Sequence, residues 1–258
     1  MPVCDLAGKI SIPCKKECCF AGFLALAVVL GLIIRLIALY LEPCISNDGV
    51  IYIDLVRHWM KTGRYIRGHA YLPLLPFLMK QLVHAGMSIF AAGIAVSIVS
   101  GGVVIAFCGL LIRQATGSRE FGIAAALLAA VHPELVELSF KIQRDSIYLA
   151  FAAISLWAFL KFYLDGKLSA LCIAGAAAGC GIFCRYEMLE LPLLFGLLQL
   201  GFLIRKREPL RQILLQTALF AGVFLLTLFL VGWMMGMLPE LWTMYVAKVH
   251  TLVKGSPQ

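Results

Sequence analysis

Charged side chains are scarce in this sequence, where they make up 14% of 258 residues against about a quarter in soluble domains. Hydrophobic residues account for 62%, and the mean hydropathy is +0.93. This composition excludes a soluble globular domain and predicts an integral membrane protein. Apolar runs of about 20 residues, without the short alternation of β-barrel strands, predict membrane-spanning helices.

Motifs of several enzyme and binding classes are also missing. The sequence has no phosphate-binding P-loop, no HExxH or GxSxG motif, and no cysteine–histidine spacing typical of a zinc site. Its nine cysteines mostly lie in or beside apolar runs, where they serve as small core residues and imply no disulfide framework. The net charge of +8 is spread over short loops instead of one soluble face, which argues against nucleic acid as a partner.

The apolar runs predict an all-α, polytopic transmembrane bundle of about seven spans, forming one domain over residues 1–258. The first run is too long for a signal peptide and has no cleavage site, so we expect a retained signal anchor. An outer loop over 42–86 follows, with an amphipathic juxtamembrane hairpin and a proline-bearing run, Leu72 to Val83, predicted to be re-entrant or interfacial. Spans two to seven fill 87–235, and 236–258 form an outer tail. The predicted spans are 19–41, 87–112, 121–138, 145–164, 168–184, 189–204 and 212–235.

Lysines and arginines in short loops predict the orientation, because they favour the inner side of a membrane. The dense cluster Arg205-Lys206-Arg207 then lies inside, the N-terminus lies inside and the tail lies outside, in an inner or plasma membrane. A second basic set remains on the outer side, where the topology rule gives no reason for it. We therefore expect a functional role for this outer set, which comprises Arg57, Lys61, Arg64, Arg67, Lys141, Arg144, Arg185 and Lys254.

The polar hairpin after the first span is the clearest candidate site. Asp48 is either the N-cap of a helix, which requires no further role, or a functional carboxylate. Helical spacing places Tyr52 one turn after Asp48, and Lys61 and Arg64 continue a basic stripe along the same helix. Tyr71 then opens an aromatic–proline run. A carboxylate, cations and aromatic rings at one membrane face suit an anionic, lipid-borne substrate.

Further polar groups fall at the other predicted outer helix ends. Ionisable residues at such positions are costly in a membrane and usually functional. Arg144 beside Asp145, and Arg185 beside Glu187, are explained equally well as plain ion pairs. Four polar clusters at one face are less easily explained in that way. The groups outside the hairpin are His132-Pro133-Glu134, Arg144-Asp145 and Arg185-Tyr186-Glu187.

The order of these motifs along the chain is more specific than any one motif. In chain order they are Asn47-Asp48-Gly49, Tyr52, Thr62-Gly63-Arg64, the Tyr-Leu-Pro-Leu-Leu-Pro run at 71–76, the alanine-rich span ending at Pro133, Arg144-Asp145 and Arg185-Tyr186-Glu187. This order resembles that of the GT-C integral-membrane glycosyltransferases. It is most similar to the branch with the protein O-mannosyltransferases and the aminoarabinose transferase of lipid A. The resemblance covers about residues 20–207.

The resemblance implies a glycosyltransferase that moves a sugar from a polyprenyl-phosphate-linked donor to a glycan, lipid or protein acceptor at the outer face, within membrane lipid. Asp48 is then the catalytic base. The other implied roles are phosphate binding by Lys61, Arg64, Arg144 and Arg185, sugar stacking or phosphate positioning by Tyr52 and Tyr71, and a second acidic residue among Glu134, Asp145 and Glu187.

Four further expectations accompany this interpretation. Some related enzymes use a divalent metal, which Asp48 could bind with Glu134 or Asp145, although the residues do not require one. Family members usually have eleven or more spans, so we expect a truncated or minimal member. The alternative function is a non-catalytic flippase or accessory protein that binds a polyprenyl phosphate. A small-solute transporter is disfavoured, because the central parts of the spans carry almost no ionisable residues.

Overall fold

The computed structural model describes residues 13–43, 45–65, 71–205 and 209–237. These residues form α-helices joined by short loops, with one 3₁₀ turn at Tyr186–Leu189 and no strand among them. The predicted all-helical membrane fold is confirmed. The helices are α1 (Pro13–Leu41), α2 (Asn47–Thr62), α3 (Leu74–His84), α4 (Ile89–Thr116), α5 (Arg119–Val131), α6 (Pro133–Phe140), α7 (Arg144–Asp165), α8 (Leu168–Ile182), α9 (Glu190–Ile204) and α10 (Leu210–Met234).

Five helical segments within the described residues are long and apolar enough to cross a membrane, and six if the bent pair α5–α6 counts as one span. The prediction of about seven spans is therefore close but not exact. Predicted span 168–184 corresponds to α8, an apolar helix of 15 residues that is shorter than each of the five spanning segments. The five segments are Cys19–Leu41, Ile89–Thr116, Arg144–Asp165, Tyr186–Ile204 and Leu210–Met234.

The predicted span 121–138 is a broken helix whose two parts, α5 and α6, meet at an angle of 57°. Pro133 explains the break, since proline has no N–H for the helical hydrogen bond and its ring displaces the preceding residue from the helical region. His132 accordingly has an extended backbone, with φ −61° and ψ 120°. Pro133 then occupies the first position of α6, where a missing N–H is tolerated.

The outer loop folds into two short helices that pack on the bundle. α2 is amphipathic and buries Tyr52, Leu55, Val56 and Trp59 in one apolar cluster with residues of α3, α4 and α7. α3 matches the predicted re-entrant or interfacial run, and its Leu74 N–H donates to the carbonyl of Phe183 just after α8, at 3.2 Å. This bond joins the start of α3 to the end of α8.

Several helix ends meet at one end of the bundle. Met235 and Met237, directly after α10, lie in the same apolar cluster as residues of α2. Ile147, in the first turn of α7, belongs to this cluster as well. Small residues let the helices approach closely: a Cβ on Gly175 or Gly179 of α8 would lie 3.0 Å from a backbone oxygen of α10. The expected tail after Met237, and the outer cations Arg67 and Lys254, lie outside the described residues.

Candidate functional site

Ser46, not Asp48, caps the helix that carries the candidate base. The Ser46 Oγ accepts a hydrogen bond from the Gly49 N–H at 3.0 Å and donates to the carbonyl of Ile142 at 3.3 Å. The capping role that offered a purely structural explanation for Asp48 is thus filled two residues earlier. Asp48 itself is half-buried in the first turn of α2, where the helix dipole favours an anion.

Tyr71 fixes the carboxylate of Asp48. Its hydroxyl donates to Asp48 Oδ1 at 3.0 Å, although 23 residues separate the two in the chain. Burial, and next the hydrogen bond with Asp48, raise the pKa of Tyr71 above its ordinary value, so its phenol remains a proton donor at neutral pH. The guanidinium carbon of Arg144 lies 5.8 Å from the centre of the same ring. Asp48, Tyr71 and Arg144 therefore form one contiguous polar group.

Tyr52 packs against this polar group. Its ring meets that of Tyr71 edge to face, with the centroids 5.2 Å apart and an interplanar angle of 84°. The Tyr52 side chain is completely buried, and its hydroxyl makes no hydrogen bond within the described residues. In this arrangement Tyr52 packs against Tyr71 and offers no open face for a sugar, so Tyr71 is the better placed of the two predicted stacking residues.

Arg185 joins two carboxylates. Its guanidinium donates to Asp145, at the start of α7, and to Glu187, at 2.8 Å. The hydrogen bond with Glu187 is the main cause that raises the pKa of Arg185 above its ordinary value, and the charge of Asp145 adds to it. The expected Arg185–Glu187 pair is present, whereas Asp145 pairs with Arg185 across the fold. These three residues together carry one net negative charge.

Arg144 lies between the two groups. Its charge acts on the phenol of Tyr71 and, across the site, on the carboxylate of Glu187 and the phenol of Tyr186. Its position follows from local sequence, because Arg144 is the first residue of α7 and directly follows the linker 141–143 that contacts Ser46. The structure therefore assembles seven predicted residues at one end of the bundle, namely Asp48, Tyr52, Tyr71, Arg144, Asp145, Arg185 and Glu187.

The remaining predicted residues lie elsewhere. Lys61 and Arg64 are exposed at the opposite end of α2, about 20 Å along the helix from Asp48 at 1.5 Å per residue. Arg64 lines a separate cavity of about 230 Å³ with Trp59 and the segment 235–237. Glu134 is exposed in the first turn of α6.

The described part of the chain holds no group of three or more histidine, cysteine, aspartate or glutamate side chains suited to a metal ion. Asp145 was one of two carboxylates considered as a metal-binding partner for Asp48. It accepts hydrogen bonding from Arg185, and Asp48 accepts a bond from Tyr71. The nearest groups to each of these carboxylates are therefore hydrogen-bond donors.

One charged residue escaped the sequence-based reasoning. Arg35 lies inside the first span, six residues before its end, and is fully buried. The expectation that the central parts of the spans carry almost no ionisable residues left this residue without a role. The signal was available, since a lone arginine in an apolar run is costly in a membrane and usually has a specific reason. Ser46 was also overlooked as the cap, although serine is among the favoured residues at that position.

The helices thus gather carboxylates, arginines and a tyrosine at one end of the bundle. Residues 68–235, more than half of the chain, match the model of the dolichyl-phosphate-mannose-protein mannosyltransferase family, and the chain belongs to that family. No curated protein sequence matches the chain. The matched region includes Tyr71, Arg144 and Arg185, whereas Asp48 precedes it.

Proposed function

We propose that this protein transfers a sugar from a polyprenyl-phosphate-linked donor to an acceptor hydroxyl at the membrane face that carries Asp48. The contact that supports this proposal is the 3.0 Å hydrogen bond between Tyr71 and Asp48, with Arg144 placed against the same tyrosine ring. It brings a candidate base and a candidate phosphate-binding cation to one place. The family match agrees with a membrane glycosyltransferase that uses such donors.

Asp48 acts as the general base in this mechanism. As the acceptor oxygen attacks the anomeric carbon, the carboxylate takes up the hydroxyl proton and the bond from that carbon to the phosphate oxygen breaks. The electron pair leaves with the polyprenyl phosphate, and attack from the opposite side inverts the anomeric centre. Tyr71 occupies one carboxylate oxygen and so orients the other towards the acceptor.

The leaving phosphate needs a nearby cation, because negative charge builds up on its oxygen in the transition state. Arg144 is our first candidate, since it adjoins the Asp48–Tyr71 pair and its planar guanidinium suits two-point contact with a phosphate. Arg185 is our second candidate. A phosphate at Arg185 competes with Asp145 and Glu187, which already accept its hydrogen bonds.

The acceptor hydroxyl belongs, in this proposal, to a protein, a glycan or a lipid, and the family description favours mannose as the sugar. Membranes containing the protein would be incubated with radiolabelled polyprenyl-phosphate mannose, and label would be followed into protein, glycan and lipid fractions. Transfer that depends on the expressed protein supports the proposal. Saturable donor binding without any transfer, in membranes supplied with all three acceptor classes, refutes it in favour of the non-catalytic lipid-binding alternative.

A further inference from the structure

Arg35 is a completely buried cation in the first span, six residues before the end of α1. Within the described residues its guanidinium contacts backbone carbonyls and no carboxylate. Nη1 donates to Gly31 at 3.0 Å and to Ala130 at 3.2 Å, and Nη2 donates to Leu135 at 3.2 Å. A buried charge is strongly destabilising unless its donors are satisfied. The carbonyls satisfy the two terminal nitrogens, whereas Nε has no hydrogen-bond partner among the described residues.

The break between α5 and α6 frees one of these carbonyls, that of Ala130. An unbroken helix would pair the Ala130 carbonyl with the N–H four residues later, but the chain turns by 57° at His132–Pro133. The last carbonyls of α5 are then left without helical partners and carry the negative end of the helix dipole. Arg35 donates to Ala130 on one side of the break and to Leu135 on the other.

α4 closes the third side of this arrangement. A Cβ added to Gly101 would lie 2.7 Å from Arg35 Nε and 2.5 Å from the hydroxyl oxygen of Ser139. Only glycine therefore leaves room for the guanidinium at this point. Arg35 consequently touches α4, α5 and α6 from its own helix.

The bend also determines where the candidate site is built. α6 leads into the linker 141–143, and the Ile142 side chain packs where a Cβ on Gly93 would lie only 2.7 Å from it. The Ile142 carbonyl accepts the hydrogen bond of Ser46, the cap of the helix that carries Asp48. α7 starts immediately after this linker with Arg144 and Asp145. A shift of α6 would therefore move both halves of the site.

We propose that Arg35 is a positioning residue: it holds the α5–α6 bend and, through the linker 141–143, places Asp48 relative to Arg144 and Asp145. The effect on transfer rests on the proposed function, but the structural effect does not. Arg35 touches no substrate in this scheme. It acts from within the first span on residues at the end of the bundle.

Cys184 offers a reporter that does not depend on activity. Its thiol is 1% exposed and lies in the same apolar cluster as Tyr52 and Ile142. In a protein whose only cysteine is Cys184, we expect Arg35→Met to raise the rate of maleimide labelling in detergent at least about tenfold, because a loosened linker opens this segment more often. The labelling rate of Arg35→Lys should lie between those of the wild-type protein and Arg35→Met. Lysine keeps the charge, but its single ammonium group must serve carbonyls on both sides of the break.

Two controls separate local loosening from unfolding. A protein whose only cysteine is Cys172, in the first half of α8, should label at an unchanged rate in the Arg35→Met background. Arg211→Met removes an arginine at an exposed position of α10 and should leave Cys184 protected. Equal labelling of Cys184 in folded Arg35→Met and wild-type protein would refute the proposal.

Gly101→Ala tests the same contact without removing the charge, which matters if Arg35→Met does not fold. The added methyl group displaces the guanidinium, so Cys184 should again label faster. Gly22→Ala is the matched control, because a Cβ on Gly22 of α1 would meet nothing within 4 Å. Unchanged labelling in folded Gly101→Ala would contradict the role of Arg35 as directly as the first experiment.

The kinetics of sugar transfer test whether Arg35 also affects catalysis. With the base and the phosphate cation displaced, we expect kcat to fall at least about tenfold in Arg35→Met while KM for the donor changes much less, as misplacement of reacting groups predicts. Unchanged kcat with increased Cys184 labelling would overturn the link to catalysis. If wild-type protein transfers no sugar at all, the proposed function fails, and the labelling result still decides the structural claim.

Discussion

The replacement Asp48→Asn separates the structural and chemical roles of this carboxylate. Asparagine keeps an oxygen that accepts the Tyr71 hydrogen bond, and Ser46 continues to cap α2. The replacement turns a charge-assisted hydrogen bond into a neutral one and removes an anion from the helix N-terminus. Together these changes lower the free energy of unfolding by about 1–2 kcal/mol. Loss of a general base, by contrast, lowers turnover by roughly 10²–10⁴-fold, equivalent to about 3–5 kcal/mol in the barrier.

Asp54→Asn is the matched control, because Asp54 belongs to the same helix and is exposed. Its only contact among the described residues is the surface ion pair with Arg57 at 3.2 Å, and such pairs contribute about 0–1 kcal/mol. Purified variants would be compared in thermal unfolding and in transfer from radiolabelled donor. We expect both to fold and only Asp48→Asn to lose turnover.

Wild-type turnover by folded Asp48→Asn would refute the assignment of the base. Loss of turnover in both variants would instead point to damage of α2 as a whole. A fall in donor binding with unchanged turnover at saturation would place Asp48 in substrate binding and not in proton transfer.

Three further predictions follow from the site and the fold. Tyr71→Phe removes only the hydroxyl that orients Asp48 and should lower kcat about tenfold. Because the pKa of Tyr71 is raised, the stability that this contact contributes is complete below pH 10 and is lost as the pH rises through the folded-state pKa. Unfolding curves of the variant, measured across this pH range, should lack that loss. Arg185→Ala should weaken donor binding more than Arg185→Lys, and a double-mutant cycle with Glu187→Ala decides the role, since a plain ion pair predicts a double mutant no worse than either single one. In a cysteine-free background, Glu137→Cys should label from outside the cell and Thr116→Cys should not; the reverse pattern would invert the proposed orientation.

Features with a local physical cause were well predicted from the sequence. The apolar runs marked the long helices, because hydrophobic length is itself the requirement for spanning. The proline-bearing run, Leu72 to Val83, predicted the short helix α3. Polar residues at helix ends predicted that α2, α7 and the segment after α8 meet, and the structure brings these three together, whereas Glu134 was grouped with them and lies elsewhere.

Features that depend on contacts between distant parts of the chain were poorly predicted from the sequence. Ser46 and Asp48 are both good capping residues, and only the three-dimensional position of Tyr71 distinguishes them. The carbonyls that hold Arg35 lie 95 and 100 residues further along the chain. The predicted span 121–138 ran through His132–Pro133 because its average hydropathy is high, which concealed the bend even though the proline was visible.

The lengths of α7 and α8 determine how deep the candidate site lies. From Asp165 to Asp145, α7 rises about 30 Å, and the shorter path from Leu168 to Arg185 covers about 26 Å at helical rise. The hydrocarbon layer of a bilayer is about 30 Å thick. In the proposed arrangement, with Asp165 and Leu168 at one headgroup level, the Asp145–Arg185 pair lies about one hydrocarbon thickness away, at the other headgroup level. For the proposed polyprenyl-phosphate donor, whose phosphate rests at this same level, the consequence is that it would reach the cations by lateral diffusion, without being lifted from the membrane.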